Sequence, residues 1–150
     1  MSELQSRLDL QRRERLGMVE AIWGEHKTTL QILEILKKLQ IANELALVTR
    51  VDEEKAKAVK ALFRSVEYHS QARCLTLGTL AKKNPSLGKV IVLSGGTSDL
   101  VVAAEAELAL RCHGISTELL LDVGVAGIHR LFNELENLRS TKVLIACAGM

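Results

Sequence analysis

Two short stretches hold residue types that could do chemistry. The first is "SGGTSDL", residues 94 to 100. Gly95 and Gly96 have no Cβ, so the backbone can turn sharply and a ligand can come close to it. Thr97 and Ser98 bring two hydroxyl donors. Ser98 and Asp99 open the next stretch, where free backbone N–H groups and a helix dipole favour an anion. The pattern is neither GxGxxG nor a Walker A loop, since no Lys follows the glycines. Two readings stand: a helix cap on a tight turn, or a phosphate cradle. Asp99 qualifies the second. A carboxylate beside a phosphate repels it, so Asp99 suits a ribose hydroxyl or a polarised water.

The second stretch is "DVGVAGIHR", residues 122 to 130. Gly124 and Gly127 again allow close approach. His129 could act as acid or base, and Arg130 could fork onto a phosphate or carboxylate. A histidine in a first helical turn is also an ordinary surface residue. His26 and His69 have no partner at ligand spacing, and no metal site is expected. His113 reads as the C-terminal residue of a helix, where it suits the dipole. Trp23, the sole tryptophan, reads as core or as a domain-interface anchor. Cys74, Cys112 and Cys147 are odd in number and widely spaced, which argues against a disulfide framework and a zinc site. They read as small buried side chains in a reducing compartment.

Both stretches sit where a strand gives way to a helix. "KVIVLS" is an apolar strand, "SDLVVAAEAELALRCHG" a helix closed by Gly114, and "ISTELLLDV" a strand. "VAGIHRLFNELENLRS" reads as one helix and "KVLIACAGM" as a last strand. Alternation of this kind, with near-continuous apolar strands, predicts a parallel sheet with helices on its faces. Right-handed crossovers bring the C-terminal strand ends to one edge, where ligands bind in such sheets. Three strands leave much of one face and one long edge uncovered.

The first half has a different rhythm. "TTLQILEILKKLQ" predicts a helix capped by Thr28 or Thr29, and "NELALVTRV" a strand. "DEEKAKAVKALF" predicts a helix capped by Asp52. "SVEYHS" and "ARCLTLG" read as short strands around a turn near Ser70. This is a small α+β unit. Pro85, the only proline, lies in the linker-like "GTLAKKNPSLGK". The expected domains are 1–80 and 81–150.

Bulk composition narrows the classes. The chain has 150 residues, 47% hydrophobic and 25% charged, which is globular. Twenty basic and 18 acidic residues give a net charge of +2, with no electrostatic case for nucleic acid or a membrane surface. No apolar run approaches the roughly 18 residues of a membrane helix, and the N-terminus lacks a signal-peptide core. A cytoplasmic protein is expected.

"GGTSDLVVAAEAELALRCHG", then "DVGVAGIHRLFNELENLR" and "VLIACAGM", resembles the PurE-like (AIR carboxylase) domain, and most closely its LarB branch. "LDLQRRERLGMVEAIWGEHKT" and "LVTRV" are similar to that family's N-terminal domain. The resemblance implies an α/β fold: a small α+β domain, then the first three strands of a PurE-like parallel, flavodoxin/Rossmann-like, three-layer sheet. It implies an enzyme of nickel-pincer cofactor biosynthesis. The substrates would be nicotinic acid adenine dinucleotide and carbon dioxide or bicarbonate, with no tightly bound cofactor. The pyridinium ring is carboxylated and the phosphoanhydride hydrolysed, releasing AMP. A cationic pyridinium cannot attack carbon dioxide; in the family a cysteine thiolate adds to the ring and makes an enamine that can.

The resemblance further implies that Gly95, Gly96, Thr97, Ser98 and Asp99 hold the ribose phosphate. Asp122 and Arg130 belong to the same nucleotide-binding set. Gly124, Gly127 and His129 would line the pocket floor, with His129 as the catalytic residue. The family usually has Pro where Val101 stands, a change at a first-turn position. The family continues into further strands, a second Gly-rich loop and the nucleophilic cysteine. The chain is therefore expected to resemble the front part of such a protein and not to complete the reaction alone. None of its three cysteines matches the nucleophile. The family implies an octamer-like homo-oligomer. The alternatives are a PurE-type carboxylase or mutase acting on aminoimidazole ribonucleotide, and a non-catalytic nucleotide-binding fragment.

Overall fold

The computed structural model describes residues 8–149. The chain falls into two compact units, Met1–Thr79 and Leu80–Met150. It is a mixed α/β protein with helices and a parallel sheet, consistent with a PurE-like fold.

In the first unit a short helix, α1 (Arg12–Leu16), precedes strand β1 (Ala21–Trp23). Helix α2 (Thr29–Ile41), β2 (Ala46–Thr49), α3 (Glu53–Leu62), β3 (Glu67–His69) and β4 (Cys74–Leu77) follow. The sheet order is β1-β2-β4-β3, with β1 parallel to β2 and the other pairs antiparallel. Thr28 caps α2 in a reciprocal box. Its Oγ1 accepts from Gln31 N at 3.2 Å while Gln31 Oε1 accepts from Thr28 N at 2.9 Å. Asp52 caps α3 by accepting from Lys55 N at 2.7 Å. The helices bury Ile32, Leu36, Leu39, Ala56 and Val59 against Val48 and Leu75 of the sheet. Neither α1 nor β1 is expected from the sequence. Each is too short to show a period.

The second unit holds β5 (Lys89–Ser94), α4 (Leu100–Cys112) and β6 (Ser116–Leu120). Then come α5 (Ile128–Phe132), α6 (Leu135–Arg139) and β7 (Val143–Cys147). All pairing is parallel, in the order β6-β5-β7, so β5 is central. Gly114 ends α4 with a φ of 72°, where a side chain would be strained, and a Cβ there would lie 2.4 Å from Lys82 O.

The crossover from β5 to β6 and the crossover from β6 to β7 run in opposite directions across the sheet, so their helices cover opposite faces. Glu107 of α4 accepts from Thr117 Oγ1 on one face at 2.9 Å. On the other, Asn137 of α6 meets Lys89 Nζ at 2.7 Å and Glu118 Oε1 at 2.7 Å. Ile91 and Val92, which point to opposite faces, are both fully buried. The single helix expected over "VAGIHRLFNELENLRS" is a correction. It opens with a 3₁₀ turn at Val125–Gly127 and breaks between Phe132 and Leu135. Glu134 takes φ −96° and ψ 4°, a turn conformation. Asn137 is tied to the strands beyond that break. Strand β7 keeps Val143 and Leu144 about half exposed, at 50% and 49%.

Candidate functional site

The order β6-β5-β7 makes the C-terminal end of β5 a topological switch point. The chain leaves β5 to one side and returns to the other, which opens a crevice at the strand ends. A cleft of 510 Å³ lies there. Gly95, Gly96, Ser98 and Asp99 line it from the turn after β5, Gly124 from the turn after β6, and Cys147 from the end of β7.

Ser94 and Asp99 hold the three turns together. Ser94 is buried at the last position of β5. Its carbonyl accepts from Val123 N at 3.0 Å and its Oγ from Asp122 N at 3.2 Å. Gly95 N donates to Cys147 O at 2.9 Å. The Asp99 carboxylate spans two turns: Oδ2 accepts from Gly96 N at 3.0 Å and Oδ1 from Gly149 N at 3.1 Å. Asp99 is therefore first a clip between backbone segments, each oxygen keeping one further acceptor position. Ser94 escapes notice in sequence, although a polar residue closing an apolar strand is the signal. Gly149 sits 50 residues beyond Asp99, so no local pattern links them.

The glycines divide by what surrounds them. A Cβ on Gly124 would lie 2.3 Å from Gly95 O, so the second turn packs directly on the first. A Cβ on Gly95 would meet Ala148 Cβ at 3.0 Å. Gly96 differs. Its φ of −147° is extended backbone open to any residue, and a Cβ there would meet nothing nearer than 3.9 Å. Neither backbone nor packing requires glycine at 96, and the position faces the cleft. Thr97, exposed, and Ser98 begin the 3₁₀ turn that leads into α4, so their amides have no partner within it.

The structure does not gather the rest of the expected set into this cleft. Asp122 and Arg130 pair with each other. Arg130 Nε also reaches Gly127 O at 3.4 Å, and Gly127 is buried under that guanidinium. His129 is exposed on α5. Gly127 and His129, expected at the pocket floor, are not among the residues that line this cleft. The 3₁₀ turn brings Val125 and Ala126 to the lining, and Leu131 is the residue of α5 that reaches it.

Cys147 lines the cleft, but burial raises its thiol pKa, and the nearby Asp99 charge raises it further. It stays protonated near neutrality. Burial likewise pushes the Cys112 thiol up to about 11. His69 Nε2 lies 2.8 Å from the buried Thr76 Oγ1, and His113 Nδ1 lies 2.7 Å from Ala109 O. Trp23 is not core: it is 54% exposed. Among the described residues no cluster of three His, Cys, Asp or Glu is placed to hold a metal, and no helix is long and apolar enough to cross a membrane.

An uncharacterized protein of Methanocaldococcus jannaschii is 31% identical to this chain over 151 residues. The match covers 96% of this chain and 59% of that protein. The LarB/PurE-like N-terminal domain family matches residues 3–79, more than half of the chain. The chain therefore belongs to the LarB/PurE-like family, a carboxylase-type family whose members are usually catalytic.

Proposed function

We propose that the second unit binds the phosphoribosyl end of a pyridine nucleotide, as part of a carboxylase of nickel-pincer cofactor biosynthesis. The reaction is carboxylation of the pyridinium ring of nicotinic acid adenine dinucleotide by carbon dioxide or bicarbonate. Water then cleaves the phosphoanhydride and AMP leaves. The chain spans 59% of the relative's length, and the complete reaction is proposed for the family-length protein, a cytoplasmic homo-oligomer.

The observation that carries this reading is Gly96. It is a glycine that the fold does not need, at the mouth of a cleft at the switch point. A phosphate there would take the Thr97 and Ser98 amides and hydroxyls, at the opening of a long helix. Asp99 keeps the cradle in shape through Gly96 N and Gly149 N and has an acceptor position left for a ribose hydroxyl. The role of His129 and of the Asp122–Arg130 pair is to flank the cleft rather than line it. Burial and the nearby Asp99 charge raise the Cys147 thiol pKa, which disfavours a thiolate there.

Calorimetric titration with nicotinic acid mononucleotide tests this, on the wild type and on Gly96→Ala and Ser98→Ala. Saturable binding that weakens in both variants supports the reading. Tighter binding of aminoimidazole ribonucleotide would replace it with the purine-type reaction. Equal binding by both variants and the wild type would remove the phosphate from this turn.

A further inference from the structure

Among the described residues, Thr76 and Ser94 are the two buried polar side chains. A hydroxyl taken out of water is costly unless it is hydrogen-bonded, so its partner is the place to look for its role. Thr76 meets His69 of the neighbouring strand, within one sheet. Ser94, 1% exposed at the end of the central strand β5, reaches instead to the turn after β6, 28 residues on.

The ladder between β5 and β6 ends at Leu93 and Leu120. Beyond it the chain swings away at Asp122, whose φ of 56° is left-handed, a conformation disfavoured for any residue with a Cβ. Such a residue stays where its surroundings hold it. Ser94 does the holding. Its Oγ accepts from Asp122 N and its carbonyl from Val123 N, so two consecutive amides end on one residue. The other tie on Asp122 is its ion pair with Arg130, which is part-exposed and holds the side chain rather than the backbone.

The consequence reaches the cleft within four residues. Gly124 packs on the Gly95 carbonyl, and Val125 and Ala126 join the lining. Gly95 itself follows Ser94 directly and opens the first turn. One buried residue therefore starts the first turn and fixes the start of the second, and the cleft lies between the two.

We propose that Ser94 is the positioning residue of this cleft. Its hydroxyl locks the left-handed turn at Asp122 and so places the second turn for the nucleotide that the first turn receives. The proposal rests on the reading of the cleft as a nucleotide site. It gives Ser94 no contact with the nucleotide and no step in the reaction.

Ser94→Ala, which removes the side-chain acceptor, and Ser94→Thr, which keeps it, test this against the wild type well below all three melting temperatures. Nicotinic acid mononucleotide is titrated by calorimetry. Amide hydrogen exchange is followed by NMR at Asp122, with Ile91, buried in β5, as the measure of an intact sheet. In Ser94→Ala the affinity should fall about fivefold to tenfold and the Asp122 amide should exchange about tenfold faster, with Ile91 still protected. Ser94→Thr should restore both. If Ser94→Ala loses protection at Ile91, Ser94→Cys replaces it, since sulfur fills the site and is a weak acceptor.

Unchanged affinity in Ser94→Ala would overturn the proposal and leave the reading of the cleft in place. So would lost affinity with Asp122 still protected, which would make Ser94 a contact of the nucleotide. Protection restored by Ser94→Thr without affinity would also overturn it. No binding by the wild type would remove the reading of the cleft itself, and the proposal with it.

Discussion

The turn after β5 and the turn after β6 are built from the same parts: a strand end, glycines, an aspartate and a helix start. Their glycines answer to different constraints. At Gly124 the space for a side chain is filled by the carbonyl of Gly95, 2.3 Å from where a Cβ would sit. At Gly96 that space is open. The polar residues divide the same way. Asp122 is spent on Arg130, and its φ of 56° sets the sharp exit from β6. Asp99 is spent on two backbone amides that frame the cleft. A glycine in a βα turn is therefore not in itself a sign of a ligand. The informative glycine is the one that nothing in the protein requires.

The largest effect follows from that contrast. Gly124→Ala must push one turn off the other, and its unfolding free energy should fall by about 1–3 kcal/mol or more, as overpacking does. Gly96→Ala should change stability by no more than about 0.5 kcal/mol. Denaturant melts of the two variants together test the comparison. Equal losses would mean that Gly96 is also a packing glycine, and the cleft would lose its best argument. In binding the order reverses. Gly96→Ala should cost about tenfold or more in affinity for a phosphorylated nucleotide, because the new methyl stands where the phosphate approaches.

Asp99→Asn comes next. The amide keeps one acceptor but sets an N–H₂ against a backbone N–H, so about 1–2 kcal/mol of stability should be lost. Unchanged stability with lost nucleotide binding would reverse the assignment and make Asp99 a ligand group rather than a clip.

Much of the frame is legible in the sequence, and the exceptions have physical causes. The β5-α4-β6 rhythm can be read because "KVIVLS" is uniformly apolar and Gly114 closes the helix. The caps at Thr28 and Asp52 can be read because their partners, Gln31 and Lys55, lie three residues on. Strand β1 cannot, because three residues show no period and its place depends on pairing with β2. The break before Leu135 cannot, because Ile128, Leu131, Leu135 and Leu138 keep a helical spacing straight through it. The break becomes visible only when Asn137 is seen tied to Lys89 and Glu118. The two Gly-bearing turns can be located from sequence, but which glycine answers to a neighbour cannot. The Gly95 carbonyl that confines Gly124 comes from a different strand end. Trp23 misleads for a related reason. Its indole N–H is satisfied by Glu25 two residues away, so it has no need to be buried.

The smallest effect concerns the opposite end of the same strands, and it sharpens the comparison by separating structural charge from site charge. Glu118 accepts from Lys89 and from Asn137, and these two hydrogen bonds, in that order, hold its carboxyl below the usual value against a smaller effect of burial. A carboxyl with a lowered folded pKa contributes stability above its unfolded pKa of about 4.3, and that stability is lost as pH falls through the folded value. The side chain is 36% exposed and screened by solvent, so the contribution is small. Glu118→Gln should melt slightly below the wild type near neutrality, and the two curves should converge as pH falls through the lowered folded pKa and the wild-type carboxyl takes up its proton. A gap that persists unchanged into acid would assign the effect to lost packing around Asn137. The cleft gives the control: Gly96→Ala removes no ionisable group, so whatever gap it shows should not change across the same pH range.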